Sequence, residues 1–272
     1  MTSTLADANA AITALWPLDE AESWDAPGLL SGDPASPVSR IHLAVDAVLD
    51  TVDEAIAAGA QLLVTHHPLL LRGVTTVAED RYKGAVIARL IRAGCALVAA
   101  HTNADIVAHG TSAVLVDRLG LVEARPIVAS IDPALGIGRV GRLAEPTTLG
   151  ALARALGELL PPTASGVRVA GEYDRAIQTI ALCAGAGDAY LSAPAVLAAD
   201  VYITSDLRHH PASEAIENAR VASGPALIDV SHWASEWLWL DVAADQLRAT
   251  LPGIEVTVSE LRTDPWDFTI LQ

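Results

Sequence analysis

The chain is poor in cysteine, in aromatic residues and in positive charge. Its two cysteines, Cys95 and Cys183, each sit inside an apolar run ("GCALVAA", "IALCAG"). That excludes a disulfide framework and a CxxC zinc site, and leaves buried free thiols suited to a reducing cytoplasm. Phenylalanine occurs once and aromatics total 4%, yet hydrophobic residues reach 51%, so the core has to be built from Ala, Val, Leu and Ile. Lysine and arginine number 17 against 33 acidic residues, a net charge of −16. Such a charge repels phosphate backbones at long range and argues against broad nucleic-acid or anionic-membrane binding. No uninterrupted apolar run approaches the ~18 residues that a bilayer span needs. The opening stretch "MTSTLADANAAITALWPLDE" carries acids where a signal peptide has a basic flank, so a cytoplasmic protein is expected.

What the sequence does have is a β-α rhythm, with enough chain for one large α/β domain or two lobes. The strand-like run "IHLAVDA" (41–47) precedes the helix pattern "TVDEAIAAGA", where Thr51 and Glu54 suggest a capping box and Gly59 a stop. Strand 61–65, helix 83–94, strand 95–100 and helix 111–120 follow. Near-continuous apolar strands of this kind belong to sheets covered on both faces. After Leu121 the Pro- and Gly-rich stretch "EARPIVASIDPALGIGRVGRLAEP" reads as a connection into a second lobe. The pattern then predicts helix 148–160, strands 167–171 and 176–185, helix 187–199, strand 200–205, helix 212–220, strand 226–230, one helix over about 232–249 and a closing strand. Lobe boundaries near 126 and 221 give residues 1–125 plus 222–272 as one lobe and 126–221 as the other. "THHP" at 65–68 is echoed by "RHHP" at 208–211, again shortly after a strand.

Ligands of open α/β sheets gather at the carboxyl ends of strands, where loops and helix starts converge. Three such ends deliver His66 and His67, then His101 and Asp105, then His232 and Glu236, the residue types that hold borderline divalent metals. The four-residue intervals His101–Asp105 and His232–Glu236 would put each pair on one helix face. Adjacent residues of a regular strand face opposite sides, so His66 and His67 can share a site only if the strand has ended, as Pro68 suggests. Taken singly, an HH pair suits a solvated turn and HxxxE the polar side of a helix. Their joint placement after three strands is what points to a metal.

The segments "WDAPGLLSGDP", "VTHHPLLLRG", "KGAVIARLIRAG", "AAHTNADIV", "YITSDLRHH", "DVSHWASEW" and "SELRTDPW", in that order, resemble the NIF-three-like dinuclear-metal family, whose bacterial members are often labelled GTP cyclohydrolase I type 2 homologues. The resemblance implies an α/β fold of two interlocked lobes with mixed sheets and a toroidal homohexamer. It implies two divalent ions per subunit, zinc, iron, manganese or cobalt, on His66, His67, His101, Asp105, His232 and Glu236, the set already collected from the strand ends. The chain departs from the family pattern at Asp46-Ala47-Val48, where many members have Asp-Val-Thr, and at Thr204-Ser205-Asp206, where many have Thr-Gly-Asp. It is also too short to hold the extra domain that longer members insert between the lobes.

Two functions follow. One is a dinuclear metal-dependent hydrolase acting on a small anionic or nucleotide-like substrate, cyclohydrolase-like by the family label. Its general acid would come from His209, His210 or Asp206, residues that also suit a polar helix start before Pro211. The alternative is a non-catalytic metal-handling or metal-delivery protein. His42 and His109 read as structural or surface residues, and Trp233 and Trp237 as core or subunit-interface anchors.

Overall fold

A computed structural model describes residues 3–270. Two compact units divide the chain, one formed by residues up to Ala104 with Trp239–Thr263, the other by Asp105–Leu238 with the residues from Asp264 on. These divisions fall at 104/105, 238/239 and 263/264, where sequence texture suggested 126 and 221. The difference has a simple cause: strands Val122–Arg125 and Ala226–Val230 are built into the second unit's sheet.

The first unit holds a five-stranded sheet in the order Gly28–Ser31, Ala96–Ala99, Leu62–Thr65, Arg40–Ala44, Glu255–Val258. All neighbours are parallel except the first pair, which is antiparallel. Every residue of Leu62–Thr65 and Ala96–Ala99 is buried, as in sheets covered on both faces. Helices Leu49–Ala57 and Tyr82–Ala93 pack on one another and on this sheet, with Val52, Ala55, Val86 and Leu90 meeting Leu63 and Leu97 in one core cluster. Helices Leu5–Leu15 and Trp239–Thr250 form a second pair, and beside them the Trp16 and Trp239 rings stand 5.1 Å apart. Gly94 ends helix Tyr82–Ala93 in the left-handed region (φ 65), which costs a residue without a Cβ nothing.

The second unit holds a six-stranded mixed sheet in the order Val122–Arg125, Arg139–Thr148, Ala176–Ala186, Val201–Ser205, Ala226–Val230, Arg168–Ala170. Ala176–Ala186, Val201–Ser205 and Ala226–Val230 run parallel, flanked by antiparallel pairs on both sides. A two-stranded ladder, Val128–Ala129 with Gly136–Ile137, completes the strands described. Among the described residues no helix is long and apolar enough to cross a membrane.

Several local expectations need correction. The helix read as starting near Thr51 begins at Leu49, and Thr51 sits in its first turn, taking a bond from the Val48 N–H and giving one to the Asp46 carbonyl. The stretch read as a connection supplies strands Val122–Arg125 and Arg139–Thr148; the latter slips register between Arg142 and Thr147, where Pro146 has no amide to donate. The expected helix 187–199 is only a turn at Asp188–Tyr190 and a short helix Pro194–Leu197. Helix His209–Ala222 starts three residues earlier than the pattern suggested, with Pro211 tolerated in its first turn. The helix expected over 232–249 is two, His232–Trp237 and Trp239–Thr250. "RHHP" therefore opens a helix while "THHP" closes a strand and bends away from it.

Leu63 is fully buried among the residues of the first unit's core cluster. Leu63→Ala is expected to lower unfolding free energy by about 2–5 kcal/mol, through lost transfer energy plus the cavity left behind. Urea denaturation followed by circular dichroism checks this, and an unchanged midpoint would contradict the packing described.

Candidate metal centre

Strand Leu62–Thr65 ends one residue before His66, and the chain bends there. The amides of His66 and His67 still reach the carbonyls of Ala44 and Val45, so the backbone is anchored while the two side chains are released from strand alternation. Strand Ala96–Ala99 ends just before His101, whose amide is held by Asn103 Oδ1 at 2.9 Å. The rings of His66, His67 and His101 lie 5.1, 5.2 and 5.6 Å apart, centroid to centroid. One ligand nitrogen from each falls within 4.8 Å of the other two. Three imidazoles at that separation suit a borderline divalent cation, so the residues present fit a metal ion.

Each ring is gripped by its Nδ1. His66 Nδ1 meets the Ala100 carbonyl at 2.8 Å, His67 Nδ1 meets Asp46 Oδ1 at 2.7 Å, and His101 Nδ1 meets Asp25 Oδ1 at 2.8 Å. An acceptor at Nδ1 keeps the proton there and presents Nε2 as the ligating atom. Asp25 is itself fixed, taking bonds from the Thr102 amide and hydroxyl. Burial alone would raise its pKa; the bond and charge of His101, with Thr102 and the Ala26 amide, outweigh that and hold it at about 2. Trp239 packs its ring 5.5 Å from His66, giving the fully buried histidine an apolar wall.

In the second unit, Ser231 caps helix His232–Trp237 by accepting from the Ala234 amide at 3.2 Å. His232 and Glu236 then lie one turn apart, with Nε2 and Oε1 2.9 Å from each other. His232 Nδ1 meets Asp206 Oδ2 at 2.8 Å, so this ring is gripped as the other three are. Asp206 follows strand Val201–Ser205 with φ 58, a left-handed conformation rare for a residue with a side chain. Burial pulls the His232 pKa down, but the Glu236 and Asp206 carboxylates outweigh it and hold the imidazole well above its ordinary range. Glu236 is 3% exposed. Asp105 accepts from the Thr111 hydroxyl. Burial pushes the Cys183 thiol up, and the Asp105 and Glu236 charges both add to that.

His209 and His210 sit exposed at the start of their helix, rings 5.2 Å apart. His42 is buried between Thr257 and Glu54, and His109 is exposed. Trp233 and Trp237 pair on one helix face with centroids 6.0 Å apart.

Sequence reasoning missed Asp25 and Asp46 as the anchors of His101 and His67. It also missed Gly185. With φ +69, a Cβ there would lie 2.3 Å from Glu236 Oε1 and 3.2 Å from His232 Nε2. The spaced glycines of "CAGAGD" after an apolar run were the available signal.

A family model described as Duf34/NIF3 (NGG1p interacting factor 3) matches residues 3–265. A Streptomyces coelicolor protein named "GTP cyclohydrolase 1 type 2 homolog" is 45% identical, over 96% of this chain and 93% of its own length. A Mycobacterium leprae protein of the same name is 34% identical over 98% of this chain and 96% of its own length. That alignment spans 375 residues, so the relative carries sequence absent from this 272-residue chain. Among solved structures, a Bacillus cereus protein related to NIF3 matches with a TM-score of 0.91 at 21% identity, covering 99% of this chain and 100% of that one. A Staphylococcus aureus hypothetical protein matches at 0.87 and 26% identity with the same coverage.

Gly185→Ala should leave the circular dichroism spectrum intact and weaken divalent-metal binding at least about tenfold, the scale on which misplaced ligand geometry is felt. Isothermal titration of the metal-stripped variant measures this, and unchanged affinity would mean that the Gly185 cradle is not part of a metal site.

Proposed function

Since the chain belongs to the Duf34/NIF3 family, we propose that His66, His67, His101, Asp105, His232 and Glu236 together hold two divalent cations and that the protein is a metal-dependent hydrolase. The observation that carries this reading is the common grip on Nδ1 of all four imidazoles, which turns Nε2 of His66, His67 and His101 towards a ligand role and sets Nε2 of His232 beside Oε1 of Glu236, its fellow candidate ligand. The substrate class is a small anionic or nucleotide-like molecule, following the label its relatives bear. A homohexamer belongs to the same reading, by the family resemblance.

Six ligands do not saturate two ions that each take four to six, so positions stay open for water and substrate. Bound there, the ions would supply Lewis acidity and a lowered water pKa near neutral pH. The chain's own residues do the rest. Asp25, Asp46 and Asp206 hold the imidazoles in one tautomer, and Glu236 and Asp105 offset positive charge from the buried side. Because Asp206 is committed to His232, protonation of a leaving group falls to His209 or His210.

A closed structural metal site would use up every coordination position, so open positions favour catalysis over a structural role. Separating hydrolysis from metal delivery requires turnover. Metal-stripped protein should regain about two equivalents of Zn²⁺, Mn²⁺ or Co²⁺, and hydrolysis of nucleotides, cyclic amides or phosphoesters should fall by a factor of at least ~100 in His67→Ala and in Glu236→Ala. Tight, exchangeable metal without turnover on any of these would instead mark a metal-handling protein. Metal affinity should also fall as pH drops, because protons compete for the same nitrogens; pH-independent affinity would contradict imidazole ligation.

A further inference from the structure

The terminal stretch "LRTDPW", residues 261–266, holds two consecutive polar residues that the hydrolase reading leaves without a task. Thr263 donates its hydroxyl to Asp46 Oδ2 at 2.5 Å, and the other oxygen of that carboxylate, Oδ1, accepts from His67 Nδ1. Asp46 is thus held from one side by a hydroxyl while it holds an imidazole with the other. The next residue, Asp264, is 9% exposed. Its Oδ2 accepts from the Ser231 hydroxyl at 2.5 Å and its Oδ1 from the Trp266 amide at 3.1 Å. Ser231 is 6% exposed and is the cap of the helix that carries His232 and Glu236. Its hydroxyl has one proton. Giving that proton to Asp264 points its lone pairs at the Ala234 amide, which fixes the rotamer that the cap requires.

Each contact lies within its own compact unit, Thr263 in the first and Asp264 in the second. A single peptide bond separates them. We propose that Thr263 and Asp264 are a positioning pair for the metal ligands: Thr263 sets the orientation of His67 through Asp46, and Asp264 sets the start of the His232–Glu236 helix through Ser231. One short stretch of chain therefore conditions both sets of ligands, and it does so without touching metal or substrate. This inference rests on the two-metal reading. Its content is separate, since the ligands could bind metal without any help from the terminal segment.

The test uses the full chain stripped of metal and titrated with Co²⁺, followed both by visible absorption and by calorimetry, with metal-free thermal melting recorded for every variant. Thr263→Val removes only the hydroxyl and should raise the Kd for Co²⁺ about tenfold, and Asp264→Asn should do the same, as expected when a ligand's orienting partner is lost. Thr263→Ser restores the hydroxyl and should bind within about twofold of the wild type, a rescue that lost packing alone would not give. The inference is overturned if Thr263→Val binds both ions like the wild type, if Thr263→Ser fails as Thr263→Val does, or if the affinity losses merely follow a lowered metal-free melting temperature. A wild-type protein that takes up no Co²⁺ sinks the two-metal reading, and this inference with it. Normal uptake by the wild type and both variants removes the inference alone.

Discussion

Every imidazole of the candidate site is held at Nδ1 by an oxygen that the fold cannot easily move. For His66 that oxygen is a backbone carbonyl, and for His67, His101 and His232 it is a carboxylate. A free imidazole rotates and exchanges tautomers; one fixed in this way presents a single nitrogen in a single direction. A carboxylate partner also makes the opposite nitrogen a better donor to a cation. The anchors are themselves anchored, Asp25 by Thr102 and Asp46 by Thr263. The surrounding apolar strands give this polar shell a rigid frame, since Leu62–Thr65 and Ala96–Ala99 are buried along their whole length.

The same shell explains the electrostatics. Burial would lower the His232 pKa, but the Glu236 and Asp206 carboxylates outweigh it and push it up, while the bond and charge of His101, with Thr102, hold the Asp25 carboxyl at about 2 against its own burial. A proton on His232 and a divalent cation bound beside it would be alternatives, because both would neutralise the same carboxylates. The high acidic content of the chain, a net charge of −16, works in the same direction: it favours capture of cations and disfavours anions except where metal reverses the local sign.

Much of the site was legible in the sequence because strand ends are legible. A short apolar run followed at once by histidine marks the position where side chains leave the sheet, and this placed His66, His67, His101 and His232. Helical periodicity added Glu236 to His232. The anchors were not legible. Asp25 is 76 positions from His101, and Asp46 is 21 from His67. Loop carboxylates have no period by which to be recognised, and only tertiary folding pairs them with a ring. Gly185 was hidden for a related reason, since its value lies in the absence of a Cβ beside Glu236 and His232. In the fold, continuous buried strands were readable, whereas Arg139–Thr148 was masked by the glycines before it and by Pro146 at its register slip. The break between His232–Trp237 and Trp239–Thr250 was masked too, because the apolar pattern runs through it unchanged.

The most direct measurement is anomalous diffraction from crystals grown with excess Zn²⁺ or Mn²⁺. Two peaks per chain are expected, with Nε2 of His66, His67, His101 and His232 at about 2.0–2.2 Å from metal and each Nδ1 still on its oxygen partner. Absence of any peak at these histidines under saturating metal, or ligation through Nδ1 with the oxygen anchors displaced, would contradict the arrangement on which the functional reading depends.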